Sequence, residues 1–246
     1  MVEKSFAETV AHAADDGRMP DSTLNERLRA VAEEVSRSNP EFAAVAQRMV
    51  ERLEANEVGK NAPGIGEAMP DFVLPDENGA MVRLETLLKA GPVVLSFHRG
   101  HWCPYCRLNA DGLAQIAPEI ERLGAQIVAI SPETHQYGAE LKSQANAPFP
   151  VLCDLDNGYA LQLNLLFWVG DEKREAMTKA GFDIAPYQGN DTWMLPVPAT
   201  FVVDRGGIIR ARSIDPDYRR RMELDDIVDA VAALDAVAEP RRGAAS

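Results

Sequence analysis

The stretch Val93-Val94-Leu95-Ser96-Phe97-His98-Arg99-Gly100-His101-Trp102-Cys103-Pro104-Tyr105-Cys106 runs from an apolar segment straight into a pair of cysteines. The apolar part is short, β-branched at its start and bounded by Gly91-Pro92, a pattern that predicts a buried central strand rather than a helix. Beyond it Leu108, Leu113, Ile116, Ile120 and Leu123 recur at near-helical spacing, which places Cys103 to Cys106 on the strand-to-helix turn. Both sulfurs then stand at a helix N-terminus, where unpaired backbone N–H groups and the positive end of the dipole favour the thiolate. Two cysteines three positions apart on a first helical turn can close a disulfide without disturbing their surroundings. The alternatives are a pair of buried thiols or half of a zinc site. Zinc wants two further ligands in a compatible arrangement, and the chain offers only Cys153 and four scattered histidines. The pair is therefore read as a redox device.

Working outward, 246 residues at 46% hydrophobic composition suffice for one large α/β domain with an extension. The net charge of -13, with no long basic run, argues against nucleic acid and anionic membrane as partners. Met1 to Glu8 contain Glu3 and Glu8 and no apolar segment, and no later stretch is apolar for long enough to span a bilayer. The expected compartment is the cytoplasm, where a vicinal cysteine pair is more often catalytic than a structural staple.

Residues 1–60 read as a helical extension. Asp21-Ser22 can cap a helix with Leu24, Leu28, Val31 and Val35 on one face, and Phe42, Val45, Met49 and Leu53 form a second stripe after Asn39-Pro40. These stripes are expected to pack on the main domain or on a second subunit, which makes a homodimer the expected assembly. A turn-rich linker at Asn61 to Gly66 marks the boundary of the main domain, residues 64–238, and 239–246 read as a flexible tail. Within the domain, a hairpin is expected from Phe72 to Leu84, a second buried strand at Ala125 to Ile130 and a helix from Thr134 to Gln144. A short strand follows at Phe149 to Asp154, then a hairpin from Val197 to Arg212 and a closing helix over Glu223 to Val237. The β-α-β-α order implies parallel strands with right-handed crossovers. Residues 167–195, with a charged helical piece and a polar loop, read as an insertion near the site.

Gly66-Glu67-Ala68-Met69-Pro70-Asp71-Phe72-Val73-Leu74-Pro75, the Trp102-Cys103-Pro104-Tyr105-Cys106 turn, Phe149 to Asp154 and the Pro198-to-Arg210 hairpin together resemble the alkyl hydroperoxide reductase/thiol-specific antioxidant (AhpC/TSA) group of the thioredoxin-fold superfamily, the peroxiredoxins and peroxiredoxin-like proteins. The resemblance covers residues 64–236 and implies a central mixed sheet flanked by helices. Peroxiredoxins typically read Phe-x-Pro-x-x-x-Thr-x-x-Cys at this turn. Laid over Phe97 to Cys106, that motif puts Cys106 at the peroxidatic position, Cys103 at the threonine and Arg99 at the proline. The Cys-Pro-Tyr-Cys turn is in this respect closer to thioredoxin. Val197-Pro198-Ala199 likewise resembles the segment where thioredoxins carry a cis-proline, so a cis bond is expected before Pro198. The family's local arginine is missing beside that strand, leaving Arg99 or Arg107 to supply charge.

The resemblance implies a thiol-dependent peroxidase acting on hydrogen peroxide or organic hydroperoxides, without metal or organic cofactor, and regenerated by thioredoxin or a similar dithiol. Cys103 and Cys106 suffice for attack and resolution, and which of them attacks stays open. Arg99 is the candidate for thiolate stabilisation, His101 and His98 for proton donation, and Trp102 for walling the site and docking a reductase. A packed role is expected for His98, and Cys153 reads as a buried free thiol. Two other functions fit the same residues: a protein dithiol-disulfide oxidoreductase, and a redox sensor in which disulfide formation repacks the N-terminal helices.

Overall fold

The computed structural model describes residues 22–238. The start of the helical extension and the expected tail at 239–246 lie outside the described residues. Two helices lead, α1 (Leu24–Ser38) and α2 (Pro40–Ala55). The cap of α1 is Thr23 rather than Asp21-Ser22: its hydroxyl accepts from the Glu26 N–H while Glu26 accepts from the Thr23 N–H, a reciprocal pair that satisfies two end donors. Asn39 caps α2 through its side chain, with Pro40 in the first turn.

The two helices do not stand apart. Leu24, Leu28, Val31, Met49 and Leu53 belong to the same buried cluster as Phe97, Cys103 and Cys106. A buried Arg27 donates to Asp111 at 2.8 Å, tying α1 to the cysteine helix. The stripes that motivated a dimer are thus covered within the chain.

A small antiparallel hairpin follows, β1 (Val73–Pro75) with β2 (Met81–Arg83), then α3 (Leu84–Ala90). Next come β3 (Val93–Phe97), α4 (Pro104–Arg122), β4 (Gln126–Ser131), α5 (His135–Gln144) and β5 (Val151–Cys153). After a one-turn 3-10 helix lie α6 (Gly158–Gln162), β6 (Leu166–Trp168), α7 (Asp171–Lys179), α8 (Ala185–Gln188) and β7 (Met194–Pro196). The hairpin β8 (Ala199–Val203) and β9 (Ile209–Ile214) and the helix α9 (Leu224–Ala238) complete the chain.

The main sheet has the order β5-β4-β3-β8-β9. It is mixed: β3, β4 and β5 are parallel, whereas β8 and β9 run antiparallel to their neighbours. Central β3 is buried along its whole length because both faces are covered. Val93, Leu95 and Phe97 point into the cluster that holds the N-terminal helices and the sulfurs, and Val94 points into a second cluster with Leu113, Leu141 and Ile227 from α4, α5 and α9. Burial of each such side chain contributes about 1.5–3 kcal/mol.

The expected insertion has a definite form. β6 and β7 pair in a two-stranded antiparallel sheet, with α7 and α8 between them, and α7 packs on α2. No helix among the described residues is long and apolar enough to cross a membrane. The peptide before Pro198 is trans, since no cis bond occurs among the described residues. This corrects the expected cis-proline: Pro198 sits in the gap between β7 and β8, where a missing N–H disrupts no ladder.

Candidate active site

The site forms where β3 leaves the sheet. His98 N–H still donates to Ile130 O at 2.8 Å, so the chain stays paired for one residue beyond the strand. It then turns sharply at Gly100, whose φ of 142° belongs to the region that favours glycine. A Cβ there would lie 2.4 Å from Trp102 Nε1 and 2.6 Å from Glu133 Oε1. Cys103 is the N-cap of α4, Pro104 fills the first position where no N–H is needed, and Cys106 ends up inside the first turn.

Both sulfurs are completely buried, and no disulfide joins them. Cys106 Sγ accepts the Arg99 backbone N–H at 3.3 Å and Arg221 Nη2 at 3.6 Å. Arg99 Nη2 donates to Cys103 Sγ at 3.0 Å, and its guanidinium stacks 3.6 Å from the centre of the Tyr218 ring. Burial opposes a thiolate at Cys106, but the neighbouring Cys103 thiol, the nearby His98 ring and the charge of Arg221 outweigh it and hold that thiol well below its usual pKa. Cys103 moves the other way: burial raises it well above the ordinary range, and its hydrogen bond to Cys106 adds to this against the pull of Arg99. The pair therefore shares one proton unequally, with the thiolate at Cys106 and the thiol at Cys103.

His98 is buried, as expected of a packed residue, but its surroundings tie it to the sulfur. Asn109 Nδ2 donates to Ser96 Oγ at 3.1 Å, and Ser96 Oγ lies 3.0 Å from His98 Nε2. With Ser96 accepting from Asn109, its own proton is free to face Nε2, which leaves the ring proton on Nδ1.

The remaining candidates are placed as follows. His101 turns to Glu133: its N–H donates to one carboxylate oxygen at 2.7 Å and its Nδ1 lies 2.7 Å from the other, between the rings of Tyr137 and Tyr187. Trp102 lies with its ring centre 5.4 Å from the Arg99 guanidinium. Cys153 is buried at the end of edge strand β5, and burial pushes its thiol up to about 11. The arginines that reach the sulfurs are Arg99 and Arg221, and Arg107 is half-buried on the first turns of α4.

Arg221, Tyr218, Glu133 and Lys173 escaped the sequence reading. The three consecutive arginines at 219–221, just before the closing helix of an acidic chain, were the available signal for Arg221. Lys173 lies in a charged segment, Asp171 to Glu175, and only its i,i+4 spacing to Met177 hints that it faces inward. Among the described residues no group of three or more His, Cys, Asp or Glu side chains gathers as a metal site would require.

Comparison with known proteins places these features in context. Residues 65–212 match the AhpC/TSA family. Alkyl hydroperoxide reductase E of Mycobacterium bovis is 31% identical over 176 residues, which are 70% of this chain and 98% of that protein. The thiol:disulfide interchange protein DsbE of Pseudomonas aeruginosa is 30% identical over 151 residues, 61% of this chain and 66% of that protein. Among solved structures, peroxidoxin BcpB from Mycobacterium tuberculosis superposes with a TM-score of 0.54 at 25% identity, over 70% of this chain and 97% of its own.

Proposed function

The chain belongs to the AhpC/TSA family, and from that premise we propose that it is a peroxiredoxin-type thiol peroxidase in which Cys106 attacks the peroxide and Cys103 resolves the product. The observation that carries the assignment is the asymmetry of the buried pair, a thiolate-favouring set of donors on Cys106 and a thiol on Cys103. The Cys106 thiolate attacks the terminal oxygen of ROOH, and the O–O bond breaks. Sulfur becomes a sulfenic acid, and the RO⁻ leaving group takes up a proton to depart as ROH. Cys103 then attacks that sulfenic acid; the S–S bond forms, and water leaves with the former thiol proton. A dithiol donor, thioredoxin or a similar protein, returns the pair to its starting state. The backbone N–H of Arg99 and the guanidinium of Arg221 stabilise the attacking thiolate, and Trp102 walls the site beside Arg99.

Stopped-flow oxidation by hydrogen peroxide and by a small organic hydroperoxide tests the assignment. Cys103→Ser is expected to oxidise fast and stop at a sulfenic acid, and Cys106→Ser to react no faster than a free thiol. The reverse result would exchange the two roles. A second reading, disulfide exchange between proteins, rests on the likeness to DsbE. Against it stands the full burial of both sulfurs in the reduced protein, which admits a small peroxide more readily than a protein disulfide. Rapid reduction of a protein disulfide together with sluggish peroxide consumption would favour it.

A further inference from the structure

Beside the sulfurs, on the side of α2 and the insertion, is a cavity of about 40 Å³ lined by Arg99, Trp102 and Lys173 together with Phe42, Met177 and Phe182. Its walls are apolar and aromatic, yet two cationic side chains that line it each keep a donor without an acceptor. Arg99 Nε and Lys173 Nζ are buried without a hydrogen-bond partner, Lys173 Nζ lying 3.3 Å from the centre of the Phe42 ring. Arg99 and Lys173 are each only 4% exposed. No ion pair to a carboxylate is found for either among the described residues. A buried donor without an acceptor is costly, and here two that belong to cationic side chains line one cavity. The cavity exceeds the space one water needs, and water would bring no charge to the guanidinium or the amine.

We propose that this cavity binds a small monocarboxylate, whose oxygens accept from Arg99 and Lys173 and whose short alkyl end packs on Met177 and Phe182. The size of the space selects a ligand of a few heavy atoms, and the apolar wall selects an amphipathic one over a fully hydrated anion such as phosphate. The chemistry of Lys173 supports this. Burial, with the charges of Arg99 and Arg219, lowers its amine to about 6. An arriving carboxylate reverses that balance, and the amine takes up a proton as the ion pair forms.

The site shares Arg99 and Trp102 with the candidate active site but does not rest on the peroxidase assignment, and its test requires no turnover. Isothermal titration of the reduced full-length protein at pH 7 with propionate, and with propionamide as its neutral isostere, reads binding directly. Propionate is expected to saturate in the millimolar range or below, with heats that vary with buffer ionisation in the sense of proton uptake, while propionamide gives no saturation. In Lys173→Met, checked for folding by circular dichroism, the propionate affinity is expected to fall about tenfold or more. Equal binding of the amide, binding of propionate without proton uptake, or undiminished affinity in folded Lys173→Met would each overturn the proposal. So would a wild-type protein that shows no saturable heat with propionate. Should Lys173→Met fail to fold, the wild-type comparison of acid and amide and its proton uptake decide alone.

Discussion

Arg221 reaches Cys106 from 115 positions further along the chain and brings a full positive charge within hydrogen-bond reach of its sulfur. An opposite charge at this range favours the thiolate. Arg221→Met is therefore expected to raise the Cys106 pKa and to slow peroxide oxidation at pH 6 by about tenfold or more, with less effect at pH 9 where the thiolate forms anyway. The pH–rate profile of wild type and variant checks this. The lowered Cys106 pKa gives the wild type a rate that stays flat through the neutral range and falls only in acid. A free thiol with a pKa of about 8.5 already slows at pH 7. Gly100 offers a second residue-level test. Its positive φ and the nearness of Trp102 Nε1 and Glu133 Oε1 leave no room for a methyl group. Gly100→Ala is expected to cost about 1–3 kcal/mol in denaturant unfolding and to displace Arg99 from Cys103.

Among the elements, β3 and α4 were legible from Val93 to Leu123 because their periodicities are local and the switch between them falls at the cysteines. The two hairpins and the closing helix were legible for the same reason. The insertion was not: β6 and β7 are three residues each, and Leu166 pairs with Pro196 across the intervening helices, a partnership no short window contains. The charged helical piece of the insertion is α7, and its sequence did not show that Lys173 and Met177 form a buried face. That face has a measurable cost. Lys173 titrates near 6 in the folded protein and near its ordinary value of about 10.4 when unfolded. Between those values the unfolded chain binds more protons, so stability rises with pH across that window. Lys173→Met is expected to remove this slope and to stabilise the protein at pH 7 by a few kcal/mol, seen as a melting temperature several degrees higher. An unchanged pH dependence of melting would show that the amine is solvated.

For the whole molecule, the sheet order and the AhpC/TSA match agree with the fold expected from the sequence, while the N-terminal helices were harder to place. Their stripes said only that something must cover them. What covers them is the cluster that also contains Cys103 and Cys106, so removing residues 1–60 is expected to expose the sulfurs to alkylating reagents and to lower stability sharply. Complete burial of those sulfurs has a further result in time rather than in energy. A peroxide of two heavy atoms can slip through small fluctuations of the walls, but a protein donor can meet the disulfide only after α4 or its covering helices move aside. Oxidation and reduction then use two different shapes of one molecule, and the motion between them becomes a gate. Peroxide consumption should climb linearly with peroxide concentration, whereas reduction by a dithiol protein should level off at the rate of opening, so that at high donor the clock of the cycle is set by the fold and not by the chemistry.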